Sequence, residues 1–407
     1  MSNKNIIVGL DIGSNTIRIA IGKVDANNGL QLIGIVDNAA NGIYKGVVSN
    51  IDDAVLSISQ CIEKAERLTG VSIKEAIVGI SGSYIVSQSS KGVVAVARTN
   101  GEIQEDDVER AVEASKMVSS IPNYDILHVL PRIFSVDSQT GVRNPVGMTG
   151  LRLEVETEVI QAVSVHVKNL TKCIYRAGLQ ITDLVFSPLA VAESILSEKQ
   201  KGLGVALVNI GSVTTSLIVL EDGNIIHIAS LGIGSEHITC DIAIGLRVSI
   251  DIAERIKLEY GTCALKDVSK KDEISLLEIS GDDEKINRKY ICEIIEARVE
   301  EILQKIDAQL KSVERSGALP AGIIFVGGGS KMSGLIELAK KRLRLPVKLG
   351  TWSNSPASQS NQDPFSDLSA VAAIGLVYWG EMLSKQSGNV SSSVGDKLKE
   401  WFKSFKV

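Results

Sequence analysis

Several familiar signals are missing from this chain of 407 residues. It has no excess of basic charge. The 43 Lys and Arg stand against 48 Asp and Glu, and a net charge of −5 argues against a nucleic-acid binder. Its five cysteines (Cys61, Cys173, Cys240, Cys263, Cys292) include no Cys-x-x-Cys pair. That excludes a zinc cluster of closely spaced thiolates and fits a reducing compartment. The four histidines (His128, His166, His227, His237) have no ligand spacing, so a metal site built on them is not expected. No apolar run approaches the ~20 residues that a spanning helix needs. Met1-Ser-Asn-Lys-Asn leads straight into a strand, without the charged-then-apolar pattern of a signal peptide. The expectation is a cytoplasmic protein whose membrane contact, if any, is peripheral.

What is present is an ordinary globular composition, 44% hydrophobic and 22% charged, in a chain long enough for two or more domains. The main feature is an internal echo. Ile6 to Gly22 and Gly204 to Gly223 each hold an apolar strand, a turn centred on Ile-Gly-Ser-x-Thr and a second β-rich strand. Two such hairpins suggest two similar cores facing each other. Helical spacing recurs over Asp52 to Leu68, Gln104 to Val118, two segments within Gly232 to Gly261, Tyr290 to Ser316 (with Gly317 as C-cap) and Leu368 to Leu383. Ala76 to Ile80 and Ile323 to Val326 read as buried strands, Gly350 to Asp367 as loop. Strands alternating with helices give an α/β fold.

A phosphate sits between backbone N–H groups most easily where the chain turns without bulky side chains. Gly13, Ser14, Asn15 and Thr16 fit one cradle, and Gly211, Ser212, Val213 and Thr214 a facing one. Asp11, at the end of its strand, is placed to hold Mg²⁺ through waters. A third turn, Gly327-Gly328-Gly329-Ser330, lets a flat base or ribose approach the backbone. It is neither a Rossmann Gly-x-Gly-x-x-Gly nor a P-loop. Either hairpin alone is more often structural; the three together point to a nucleotide.

DIGSNT, NIGSVT and FVGGGSKMSGL, in this order, resemble the two phosphate motifs and the adenosine motif of the actin, sugar-kinase and heat-shock-chaperone superfamily. IGSEHITCDIAIGL and AERIKLEYG are similar to MreB and FtsA, and His128 to Glu156 is similar to the extra FtsA subdomain. The chain thus resembles the FtsA family of bacterial cell-division proteins along essentially its whole length. The resemblance implies an actin-like (ribonuclease H-like) two-domain fold around a nucleotide cleft. Its first core would be 1–83 with 165–200 and 365–383, and its second 201–245 with 301–364. An inserted subdomain would occupy 84–164 and a nucleotide-contacting lobe 246–300. Glu254 and Lys257 of that lobe would reach the ribose or base, and Gly234 and Met332 would join the nucleotide contacts. The acidic Ser280–Lys285 stretch falls near the lobe that FtsA uses for FtsZ. ATP and Mg²⁺ are the implied cofactors. FtsZ, further copies of the chain, other division proteins and the phospholipid surface are the implied partners.

The pattern departs from many relatives at Asn209, which replaces the second-loop Asp, at Val213, which replaces a glycine, and at Ser187, where MreB-like relatives place a Glu. ATP binding with slow or negligible turnover is the expectation. Residues 384–393 read as a flexible Ser/Gly linker with a reach of roughly 18 Å. Residues 394–407 then carry Val394, Leu398, Trp401, Phe402 and Phe405 on one helical face, with Lys397, Lys399, Lys403 and Lys406 off its centre. Aromatics opposite lysines make an interfacial membrane helix, with Leu398, Lys399, Trp401, Phe402, Lys403 and Phe405 at the surface. The resemblance implies an ATP-bound polymer lying on the inner membrane and anchoring FtsZ. A PilM-like pilus adaptor shares the fold but is not expected to carry this tail. A sugar or acid kinase needs a carboxylate base between the phosphate loops, and none stands out.

Overall fold

The structure is a computed structural model that describes residues 5–25, 29–276, 279, 285–352 and 367–388. The chain opens with an antiparallel meander, β1 (Ile6–Ile12), β2 (Thr16–Asp25) and β3 (Gly29–Ala39). A short ribbon, β4 (Ile43–Tyr44) and β5 (Val47–Val48), leads to α1 (Ile51–Thr69) and β6 (Glu75–Ile80). An inserted unit follows: β7 (Ile85–Ala95), α2 (Glu105–Ser119), β8 (Tyr124–Val136), β9 (Gln139–Val142) and β10 (Arg152–Val163). Next come α3 (Ser164–Arg176), β11 (Gln180–Phe186), α4 (Ser187–Ile195) and α5 (Glu198–Leu203). The second meander is β12 (Val205–Ile210), β13 (Thr215–Glu221) and β14 (Asn224–Leu231). Helices α6 (Ser235–Leu246) and α7 (Ile250–Tyr260), the ribbon β15 (Glu273–Ser275) and β16 (Lys285–Asn287), and α8 (Arg288–Ser312) follow. The chain continues through β17 (Gly322–Val326), α9 (Leu335–Leu343), β18 (Val347–Leu349) and α10 (Val371–Gly388).

The two halves repeat one design. The first sheet has the order β11-β6-β1-β2-β3 and the second β14-β13-β12-β17-β18. In each, three antiparallel strands are extended by two parallel ones. The hairpin echo therefore marks two copies of one mixed sheet. The inserted unit is a separate four-stranded sheet, β7-β10-β8-β9, placed between β6 and β11. Helix α2 covers one of its faces through Val108, Ala111 and Val112.

Local chemistry sets the element ends. Asn50 caps α1 by accepting from the N–H groups of Asp52 and Asp53 at 3.0 and 3.3 Å. Gly70, at φ 68°, closes it in the left-handed region. Of the apolar positions at helical spacing, Ile58, Ile62 and Ala65 are buried and Val55 is partly exposed, and Ala54 and Cys61 complete the buried face.

Two ends differ from expectation. Helix α8 stops at Ser312 rather than near Gly317, because Glu314 takes the left-handed position (φ 58°) and Arg315 N–H bonds Leu310 O at 2.8 Å. Arg315 is held there by Glu221. Helix α10 begins at Val371 and runs to Gly388, so residues 384–388 are helical where a linker was expected. A Lys385–Glu381 ion pair at i,i+4, 2.6 Å, carries the helix onward. Residues 389–407, with the expected tail helix, lie outside the described residues, as do most of the Gly350–Asp367 loop and of the acidic Ser280–Lys285 stretch.

The cysteines yield a first test. Cys61, Cys173, Cys263 and Cys292 are buried, and Cys240 on α6 is partly exposed. Burial pushes the Cys61 and Cys263 thiols up to about 12 from 9.0. A thiol reagent at pH 8 is expected to titrate one group rapidly in the native protein and all five after denaturation. A group whose folded value is raised contributes stability that is complete below the unfolded value. Stability should therefore fall as pH rises from 9 toward 12. Rapid native labelling of several thiols would contradict this packing.

Candidate functional site

Both hairpin turns are closed in the same way. Gly13 N–H bonds Thr16 O at 3.1 Å, and Gly211 N–H bonds Thr214 O at 2.8 Å. A side chain at Gly13 would press on Thr16 O at 2.9 Å, and one at Gly211 on Thr214 O at 3.0 Å. The second turn is also held from behind. Ser235 N–H donates to Gly211 O at 2.9 Å and Glu236 N–H to Ser212 O at 2.7 Å. In a trans peptide the C=O and N–H point in opposite directions. With those carbonyls turned toward α6, the N–H groups of Ser212 and Val213 face away from it. Val213 is only 3% exposed, so its side chain adds to the core rather than crowding the turn.

The third turn follows β17. Gly327 has φ 87° and ψ 165°, a conformation open essentially only to glycine. Its N–H bonds Leu368 O at 3.1 Å. Lys331 then ties this turn to the start of α10, with Nζ 2.5 Å from Asp367 Oδ1 and 3.2 Å from Ser369 Oγ. Burial acts to raise the Asp367 carboxyl, but Lys331 and Ser369 hold it below its ordinary value.

Asp11 sits at the floor, 9% exposed, with Oδ1 accepting from Ser187 Oγ at 3.0 Å. Burial pushes its carboxyl above the ordinary value; Arg18 and the Ser187 hydroxyl pull the other way. Glycine at 79 makes room for this pair, since a Cβ there would lie 2.5 Å from Ser187 Oγ and 3.2 Å from Asp11 Oδ1. In the lobe, Lys257 is not on a solvated face as a plain helix pattern would allow. It is 7% exposed, and its Nζ reaches Glu254 Oε2 at 2.6 Å and Thr239 Oγ1 at 2.8 Å. Thr239 Oγ1 closes the triangle on Glu254 at 2.5 Å.

These parts line one cavity of about 570 Å³. Asp11, Gly13, Ser14, Asn15, Thr16, Gly211, Ser212, Val213, Thr214, Glu254, Lys257, Gly327, Gly328, Gly329 and Met332 all border it. Gly234 and Ser330 do not. Gly234 lets α6 come close to the second turn, where a Cβ would meet Ser212 O at 2.5 Å. Ser330 Oγ bonds Gly327 O at 2.6 Å and braces the third turn. Arg18, Glu236, Thr239, Lys331 and Ser369 also line the cavity and had not been singled out. Arg18 was within reach, because counting outward from the first turn pairs it with Asp11. Glu236, whose Oε2 accepts from Ser212 Oγ at 2.9 Å, gave no local signal.

The space and its donors suit a nucleoside triphosphate. Among the described residues no cluster of three or more His, Cys, Asp or Glu could hold a metal ion by itself. A cation here would be shared between Asp11 and the ligand's phosphates, which is how Mg²⁺ is usually held.

The family model for the cell division protein FtsA matches residues 206–375, and the model for the SHS2 domain inserted in FtsA matches 82–161, the inserted sheet. The chain is 36% identical to the cell division protein FtsA of Pseudomonas aeruginosa over 392 residues, covering 96% of this chain and 92% of that protein. It is 38% identical to the Bacillus subtilis protein over 353 residues, covering 86% and 80%. Among solved structures, the PilM-PilN type IV pilus biogenesis complex aligns with a TM-score of 0.68 at 17% identity, over 92% of this chain and 98% of that one. MreB5 of Spiroplasma citri, bound to ADP, aligns with 0.57 at 13%, over 95% and 100%. The two repeated sheets, the cavity between their turns and the inserted sheet are thus the parts of an actin-like fold, and the chain belongs to the FtsA family of cell-division proteins.

Proposed function

We propose that this chain binds ATP with Mg²⁺ in the cavity, polymerises on the inner membrane and anchors FtsZ filaments there, recruiting later division proteins. The observation that carries the ATP reading is the convergence of three backbone turns on one cavity of about 570 Å³. Two of them offer N–H groups to phosphates, and the third is a glycine run that a flat ribose or base can approach. Asp11 would hold the magnesium ion through water, and the ion would supply countercharge for the phosphates. Lys257 and Glu254 would meet the ribose or base.

Turnover would be slow, because hydrolysis needs a positioned water and the carboxylates that would place it are replaced: Ser187 stands where MreB-like relatives have a Glu, and Asn209 where many relatives have the second-loop Asp. Membrane contact is assigned to the C-terminal segment on its residue pattern, with Leu398, Trp401, Phe402 and Phe405 on one helical face and lysines off its centre.

A fluorescent ATP analogue titrated with and without Mg²⁺, with phosphate release followed in the same samples, tests the cleft. Saturable, Mg²⁺-dependent binding is expected, with release far below the ~10 per second of a typical enzyme. Failure to bind would remove ATP from the assignment. Rapid phosphorylation of a small acceptor would favour a kinase instead.

A further inference from the structure

The inserted subdomain is fastened to both walls of the cleft, and each fastening lies beside a residue that faces or braces the cavity. On the first wall, Ser187 holds Asp11, and the residue before it, Phe186, donates its backbone N–H to Nε2 of His128 on β8 at 3.0 Å. The imidazole also stands edge-on to Trp379 of α10, at 6.3 Å between ring centroids. Trp379 Nε1 is in turn bonded to Asp183 Oδ2 at 3.2 Å.

On the second wall, β14 is the edge strand of its sheet. Ser230 Oγ donates to Gly82 O at 2.8 Å, next to Ser81, which lines the cavity. Two residues along the strand, Ile228 O lies 3.2 Å from Ser87 Oγ on β7. The same hydroxyl lies 2.6 Å from Glu158 Oε1, while Ser89 Oγ bonds the other carboxylate oxygen at 2.8 Å. Glu158 is 4% exposed, and its nearest countercharge, Arg132, is 3.9 Å away.

A hydroxyl has one proton, so Ser87 cannot donate fully to Ile228 O and to Glu158 at once. A buried carboxylate is costly without its donors. The position of β14 therefore decides how the Ser87 proton is divided, and Glu158 makes that division matter to the inserted sheet. A closer approach of β14 would draw the proton from Glu158 toward Ile228 O, the second arrangement that a coupling mechanism requires.

We propose that the inserted subdomain reads cleft occupancy through these two joints, His128–Phe186 on one wall and Ser87–Ile228 on the other. A nucleoside triphosphate drawing β12–β14 toward Asp11 shifts both joints together and reseats β7 and β8. The proposal rests on the nucleotide reading of the cleft.

The test is hydrogen exchange by mass spectrometry on the full chain, with and without Mg-ATP. Binding of a fluorescent analogue is measured in parallel. Nucleotide is expected to slow exchange in residues 85–95 and 124–136 by about tenfold. Ser87→Ala should keep nucleotide affinity within about twofold but lose the response in β7. His128→Phe should lose it in β8, and His128→Gln, which retains an acceptor, should restore it. If the wild-type chain binds nucleotide and these strands do not respond, or if all variants respond like wild type, the coupling is wrong and the cleft assignment stands. If no nucleotide binds, both fall. Should His128→Phe fail to fold, Ser87→Ala alone decides.

Discussion

Gly327→Ala is expected to destabilise the protein by about 2–5 kcal/mol and to lower nucleotide affinity by more than about tenfold, while Gly328→Ala leaves stability unchanged. The two glycines are adjacent but their surroundings differ. At 327 an added Cβ would stand 2.2 Å from Asn209 Oδ1 and 2.5 Å from Ile210 O, on a backbone at φ 87°. Neither the carbonyl of a central strand nor the strained dihedral can give way cheaply. At 328 the nearest atom to a Cβ is Ser369 Cβ at 3.7 Å, an ordinary contact. Gly329 should fall between, since its Cβ would meet Ile210 Cγ2 at 2.4 Å, a side chain that can repack in part. Thermal melts and nucleotide titrations of the three variants provide the ranking. Equal loss of thermal stability at 327 and 328 would mean that the turn is not shaped as described.

The second large effect concerns the C-terminal segment. Trp401→Glu is expected to reduce co-sedimentation with anionic liposomes to background, and deletion of residues 394–407 to do the same. A buried Trp removes ~150–250 Å² from water, worth several kcal/mol at roughly 25 cal/mol per Å². A single amphipathic helix binds weakly enough for that loss to be decisive. Linking several such helices multiplies attachment, so on the proposed polymer the fall should be steeper than for single chains. Undiminished pelleting of both variants would leave the anchor elsewhere in the molecule.

How much of the site could be read beforehand depended on sequence distance. The two Ile-Gly-Ser-x-Thr turns were legible because a hairpin is local: its strands, its turn and its register lie within about twenty residues. The Gly327 turn was legible from composition alone. The network behind these turns was not. Lys331 finds Asp367 and Ser369 across a loop, Lys257 finds Thr239 across a helix junction, and Glu236 reaches back to Ser212. Such pairs carry no periodicity. Strands β3 and β14 were missed for a different reason. They are outer strands with mixed burial, so neither strict alternation nor a continuous apolar run marks them. The α8 end was misplaced because Gly317 is the stronger textual stop, whereas Glu314 is the residue that turns. A non-glycine left-handed position is visible only once Arg315 is seen to be held by Glu221.

The second turn is closed by Gly211 and Thr214 and braced by α6 through Ser235 and Glu236, so its shape is set by the protein's own hydrogen bonds. Capture should then run at the pace of diffusion into the cleft, and differences in affinity among variants of the lining should appear in the rate of departure. The time each molecule spends loaded would then be set by how long it retains its nucleotide rather than by how quickly it finds one.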